Sequence, residues 1–194
     1  MSDQSEKPII DLQSDEHFMR QALREAEKAY KRNEVPVGAI IVQEGRIVGR
    51  AFNQVEELRD ATAHAEMLSL TQAQDVAGDW RLTDCDLYVT KEPCPMCAGA
   101  IVHCRIRRVI FGCGDARGGA AGGAINLLQM PTLNHSSLIT PGVLEEESKG
   151  MLKSFFLAAR EAAAQRRAER QEPEIPPRTE ERRLIDPDDF PDRG

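Results

Sequence analysis

Asp86-Leu87-Tyr88-Val89-Thr90, then Glu92-Pro93-Cys94-Pro95-Met96-Cys97 running on to His103, then Val109-Ile110-Phe111, reads as a strand, a short helix and a strand. Pro95 follows Cys94 directly, and a proline in the first turn of a helix costs no helical hydrogen bond. Upstream, Ala39-Ile40-Ile41-Val42 and Ile47-Val48-Gly49-Arg50-Ala51-Phe52 flank a Glu44-Gly45 turn in the manner of a hairpin. Ser14 can cap a helix over 15–32, with Asp15 and Glu16 in its first turn and Phe18, Ala22, Ala26 and Ala29 near helical spacing. Thr62 offers a cap just before His64, and Met67, Leu68 and Leu70 carry apolar surface toward Thr71, so His64-Ala65-Glu66 should open another helix. Downstream, 112–124 is a glycine-rich loop, Leu138-Ile139-Thr140 a weak fifth strand, and about 143–168 a long helix. Strands alternating with helices predict a three-layer α/β/α domain around a five-stranded mixed sheet.

The 194 residues fit one domain, and 41% hydrophobic content is enough for a core without disulfides. The expected organisation is a flexible segment over 1–14, the domain over 15–168, and a charged, proline-rich tail over 169–194 that should be disordered. From Gln171 on, five prolines and twelve charges crowd the chain, with Ile175, Leu184, Ile185 and Phe190 as its sizeable apolar side chains. Leu184-Ile185 with Phe190 is the one candidate docking motif there. Five cysteines are an odd number, and Met1 to Leu12 is charged with no apolar signal segment, which favours a cytoplasmic location. No run approaches the roughly 20 apolar residues of a membrane span, so no membrane partner is expected.

A net charge of −7 argues against indiscriminate nucleic-acid binding, but the charge is uneven. Residues 1–90 carry 10 Lys/Arg against 17 Asp/Glu, whereas 91–117 carry five against two and 149–170 six against two. These basic stretches suit either solvated helix faces or a phosphate-bearing partner.

His64, Cys94 and Cys97 form a set of soft or borderline zinc ligands, with a carboxylate, Glu66, left over. A structural zinc site fills four tetrahedral positions with protein, whereas three ligands leave a fourth for water, which is where chemistry happens. Cys94 and Cys97, three apart at a helix start, fall on one face, and the positive end of that helix favours thiolate, the form that binds metal. His64 and Glu66 are separated by about 200° on a regular helix, so they are unsuited as neighbouring ligands of one ion. At a first turn, His64 could reach the metal while Glu66 stands beside the water. Zinc can lower the pKa of bound water from about 15.7 to about 7, and a nearby carboxylate can carry its proton to a ring nitrogen and a leaving amine, as hydrolytic deamination requires. A Cys-x-x-Cys alone could equally be a redox pair or half of a structural zinc site; the upstream His-x-Glu turns the reading to catalysis. Cys85, Cys104 and Cys113 show no second paired spacing and are read as buried thiols, and His17 and His103 as packing or surface residues.

These motifs resemble the zinc-dependent cytidine and deoxycytidylate deaminase superfamily. Glu34-Val35-Pro36-Val37-Gly38-Ala39, Asn53, Thr62 to Glu66, Glu92 to Ile101, Asp115-Ala116-Arg117 with Gly119-Ala120-Ala121-Gly122, and Asn134-His135 narrow the likeness to the bacterial tRNA-specific adenosine deaminases, over about 15–164. The resemblance implies a cytidine-deaminase-like fold and a homodimer that converts the wobble adenosine of a tRNA anticodon loop to inosine. It implies one zinc per subunit on His64, Cys94 and Cys97, with Glu66 as the proton shuttle. Asn53, Ala65, Asp115, Asn134 and Arg160 match substrate-contacting positions. Asn53 alone could be a turn residue, Phe155-Phe156 reads more simply as core, and Arg160 as solvated.

Lys91, Gly114 and Gly123 depart from the family pattern, which carries a small hydrophobic residue, a polar or charged one, and Ser there. Two glycines should loosen the 112–124 loop. The competing readings are a free-base or nucleotide deaminase acting on guanine, cytosine or deoxycytidylate, and a non-catalytic zinc-stabilised RNA-binding module.

Overall fold

Successive strand residues point to opposite faces, and here both faces are covered. In the computed structural model, which describes residues 11–170, the strands are β1 (Gly38–Gln43), β2 (Arg46–Phe52), β3 (Cys85–Lys91), β4 (Arg108–Cys113) and β5 (Leu138–Thr140). The helices are α1 (Asp15–Lys31), α2 (Val55–Leu58), α3 (Ala65–Ala77), α4 (Pro95–Cys104) and α5 (Glu145–Arg170). The sheet runs in the order β2-β1-β3-β4-β5. β1 is antiparallel to β2 and β3, whereas β3, β4 and β5 are parallel, so the expected five-stranded mixed sheet is present. Ile40, Val42, Tyr88 and Ile110 pack on Phe18, Met19 and Ala22 of α1. Their neighbours Ala39, Ile41, Leu87, Val89, Val109 and Phe111 face the other way, onto Ala65, Leu70 and Ala73 of α3 and Ala98, Ile101 and Val102 of α4. That alternation makes the three layers.

Local chemistry sets the ends of these elements. Ser14 caps α1, its hydroxyl accepting from the His17 N–H at 3.2 Å, and Asp11 turns the chain into the cap by accepting from the Gln13 N–H at 2.9 Å. Arg108 then grips Asp15 through Nη1 and Nη2 at 3.0 and 2.6 Å, tying the start of α1 to β4. Glu44 and Gly45, at φ 48° and 74°, both lie in the left-handed region that a two-residue hairpin turn demands.

Three boundaries differ from expectation. Residue His64, not Thr62, occupies the cap position of α3, because the Thr62 hydroxyl donates instead to Asp60 Oδ1 at 2.7 Å. α2 has no buried residue, so it carried no apolar period to read. α5 starts at Glu145 because Gly142 and Leu144 sit at φ 84° and 52°, outside helical space, and it continues through Glu169 and Arg170, placed in the tail by sequence. Residues 1–10 and 171–194, with Leu184, Ile185 and Phe190, lie outside the described residues. Chain up to Ala159 forms one compact unit, and α5 from Arg160 belongs to a second, described by itself. No described helix is long and apolar enough to cross a membrane.

Candidate active site

α3 and α4 share one face of the sheet, and each presents a ligand-bearing residue at its cap position. His64 caps α3 at φ −73°, ψ 153°, and Cys94 caps α4 at φ −74°, ψ 170°, neither side chain being spent on a capping hydrogen bond. His64 is therefore extended rather than helical, and the 200° separation from Glu66 that a regular helix would impose does not apply. His64 Nδ1 lies 3.4 Å from Cys97 Sγ and 3.7 Å from Cys94 Sγ. Zinc–sulfur and zinc–nitrogen bonds of about 2.3 and 2.05 Å meeting at the tetrahedral angle would put S and N about 3.6 Å apart, so the three donors fit one zinc ion. Among the described residues this is the single cluster of its kind.

The electrostatics suit a metal and a proton carrier. Hydrogen bonds from Cys97 and His64 hold the Cys94 thiol down at about 3, so it is a thiolate at neutral pH. Sharing that proton with Cys94, together with burial, pushes Cys97 up. Glu66, on the first turn of α3 and 4% exposed, has its carboxyl raised by burial, with His64 pulling it the other way. Burial also raises Cys85, to about 11, and Cys104 and Cys113, which are free, buried thiols away from this cluster.

A cavity of about 530 Å³ opens over the cluster, large enough for a nucleoside. Val35, Val37 and Val55 give it apolar wall, and Asn53, His64, Glu66, Cys94 and Asp115 give it chemistry. Asn53, 7% exposed at the end of β2, donates through Nδ2 to Glu34 Oε2 at 3.1 Å. Glu34 is itself fully buried and accepts the Glu57 N–H at 2.7 Å, so it fixes the Asn53 amide and leaves Oδ1 for a ligand. The sequence reading did not assign Glu34 a role, although it lies in a quoted motif.

Glu92 was missed in the same way. Buried at the end of β3, it accepts backbone N–H groups from Asp115 at 2.7 Å, Ala121 at 2.9 Å and Gly123 at 2.8 Å, pinning the loop after β4. A Cβ at Gly119 would collide with the Glu92 carboxylate, and one at Gly123 with it and with the Asp115 carbonyl. Gly123 thus permits close approach rather than loosening the loop.

Residues 12–113 match the family described as the cytidine and deoxycytidylate deaminase zinc-binding region. The chain is 48% identical over 145 residues to the tRNA-specific adenosine deaminase of Bacillus subtilis, covering 75% of this chain and 90% of that one. With the enzyme of the same name from Aquifex aeolicus the identity is 49% over 141 residues, covering 73% and 93%. The chain belongs to the tRNA-specific adenosine deaminase family. A solved structure from work on A-to-I editing by tRNA:A34 deaminases at the wobble position superposes with a TM-score of 0.68 and 45% identity, covering 70% of this chain and 99% of that one.

The remaining positions picked out by the deaminase resemblance divide. Asp115 lines the cavity, its Oδ1 accepting the N–H groups of Arg117 and Gly118 at 2.9 and 3.0 Å. Ala65 does not line it: its side chain is buried in the core, so only its backbone N–H, without a helical partner at a first turn, can serve a ligand. Asn134 is exposed on the loop before β5 and is not brought to the cavity. Arg160 is exposed on α5 and, as part of the second unit, has no described place against the site. Neither phenylalanine is in the core, against the simpler reading: Phe155 is half-buried, edge-on to Tyr30 with ring centroids 5.7 Å apart, and Phe156 is 45% exposed and lines the cavity with Leu152.

Proposed function

We infer that this chain deaminates the wobble adenosine of a tRNA anticodon to inosine, consuming water and releasing ammonia. The observation that carries the reading is the His64, Cys94 and Cys97 cluster with the buried Glu66 beside it, in a chain of this family. Zinc, when bound by those three residues, supplies the charge that makes water acidic enough to attack a purine carbon at neutral pH. Glu66 takes one proton from the attacking water at its carboxylate and delivers it to the ring nitrogen; it then takes the second, from the hydroxyl now on the purine carbon, and gives it to the amine, which leaves as ammonia while the C=O forms. Asn53 presents Oδ1 to the base, held there by Glu34. Val35, Val37 and Val55 exclude bulk water, and an unstacked base from a single-stranded loop is the form of purine that can enter.

Incubation with an anticodon stem-loop, followed by reverse transcription and sequencing, should read the wobble adenosine as guanosine. Deamination confined to free guanine, cytosine or deoxycytidylate would overturn the tRNA reading. A homodimer in the cytoplasm belongs to the same proposal; the exposed apolar side chains Ile125, Met130 and Leu133 support a second copy as their cover, which sedimentation tests.

Glu34→Gln should expose the orienting role. Its amide nitrogen would face the Glu57 N–H or the Asn53 amide, donor against donor, so kcat/KM for the stem-loop should fall about tenfold with zinc content unchanged. An unchanged kcat/KM would rule out that role.

A further inference from the structure

The cavity is acidic where its substrate is acidic too. Five carboxylates line it, from Glu34, Glu56, Glu66, Glu92 and Asp115, against one ammonium, that of Lys91. A nucleotide within an RNA chain brings a phosphate on either side of its sugar, and those charges must approach the rim that the carboxylates dominate. Two of the five are internally consumed: Glu34 by Asn53 and Glu57, and Glu92 by three backbone N–H groups. Glu66 is buried and Glu56 is exposed on α2, whereas Asp115, 24% exposed at the side chain, is paired with Lys91, which is 30% exposed.

Lys91 ends β3 and donates to Asp115 Oδ2, while Asp115 Oδ1 is fixed by Arg117 and Gly118. Asp115 is held in place by its own loop, which Glu92 pins to β3. An ammonium has three N–H donors, and the bond to Asp115 uses one. The other two remain at the mouth of the cavity on a lysine whose head group is tethered, so little side-chain entropy is left to lose when a phosphate arrives.

We propose that Lys91, held by Asp115, is the phosphate-binding residue at the mouth of the site, contacting a backbone phosphate next to the nucleotide that enters the cavity. The pair cancels the charge of Asp115 toward the substrate and adds a directed donor. The proposal rests on the tRNA reading above. Lys91 touches no reacting atom and acts on binding rather than on the chemical step. The Lys91 hydrogen bond holds the Asp115 carboxyl down at about 2, so the anchor stays charged throughout any assay range.

The test uses the full chain, an anticodon stem-loop RNA, and the variants Lys91→Met and Lys91→Arg. Lys91→Met should raise KM about five- to tenfold with kcat changed less than about twofold, and should flatten the slope of log Kd against log salt by about 0.7, the share of one single-strand phosphate. Lys91→Arg should restore most of both. A single methylphosphonate placed at a phosphate flanking the target nucleotide should weaken the native chain by the same factor and have no further effect on Lys91→Met. Zinc content and thermal midpoint serve as the folding control and should not move. An unchanged salt slope, or methylphosphonate losses that add fully to the Lys91→Met loss at both flanking phosphates, would overturn the proposal even where deamination persists. A native chain that neither binds nor deaminates the stem-loop would instead overturn the tRNA reading and this contact with it.

Discussion

Glu66→Gln is expected to lower the single-turnover rate of stem-loop deamination by about 10⁴-fold, the upper range for a lost general acid–base group, while zinc content stays unchanged. The amide matches the carboxylate in size, so the first turn of α3 keeps its packing. The fold also makes little use of the charge: Glu66 is buried and its carboxyl is already raised by desolvation, so a neutral side chain is tolerated there. What is lost is the capacity to take a proton at one step and return it at another. Of the other four carboxylates lining the cavity, Glu34 and Glu92 are engaged by fixed donors, Asp115 is paired with Lys91, and Glu56 is an exposed residue of α2 that lacks the burial of Glu66. Rapid-quench kinetics with elemental analysis of the same preparation would check this. A Glu66→Gln protein that keeps its zinc and turns over within about tenfold of the native rate would remove Glu66 from the mechanism, and one that loses zinc would make it a ligand.

Which features could be read in advance follows from how local their causes are. The strands were legible because burial on both faces leaves short, dense apolar runs such as Leu87 to Val89 and Val109 to Phe111. The start of α1 was legible because Ser14 acts three residues away on His17. Cys94 and Cys97 sit within one turn, so their spacing survives folding intact. Glu92 and Glu34 were not legible as organisers, since their partners lie 19 to 31 residues away and no local pattern announces them. His64 as a cap was missed because Thr62 is the better capping residue by type, and only the competing acceptor on Asp60 removes it. Phe156 looked like core by composition, yet it faces the cavity. Asn134, matched by resemblance alone, stays on an exposed loop because the tie of that loop to the sheet is made next door, by His135 Nε2 and Ser137 Oγ, each 2.7 Å from the Ile106 carbonyl.

Cys97→Ala and Cys104→Ala should separate the two kinds of cysteine in this fold. Both thiols are buried on α4. Cys97 is one of three donors around one point, so its loss leaves His64 and Cys94, too few to hold zinc against dilution. Bound zinc should fall from about one per chain to below about a tenth, with deamination lost alongside it. Because the metal binds the folded chain, its loss also withdraws stability, and the thermal midpoint should drop by several degrees. Cys104, by contrast, accepts from Gln74 Nε2 at 2.8 Å at the far end of the helix, and burial keeps it a neutral thiol. Its replacement should cost about 1 kcal/mol of packing and leave zinc content and kcat unchanged. A chelator sharpens the contrast: it should lower the midpoint of the native chain and of Cys104→Ala, yet leave Cys97→Ala where it was. Zinc retained at full occupancy in Cys97→Ala would break the assigned ligand set, and a midpoint indifferent to chelation in the native chain would show that the metal serves the chemistry without holding α3 and α4 together.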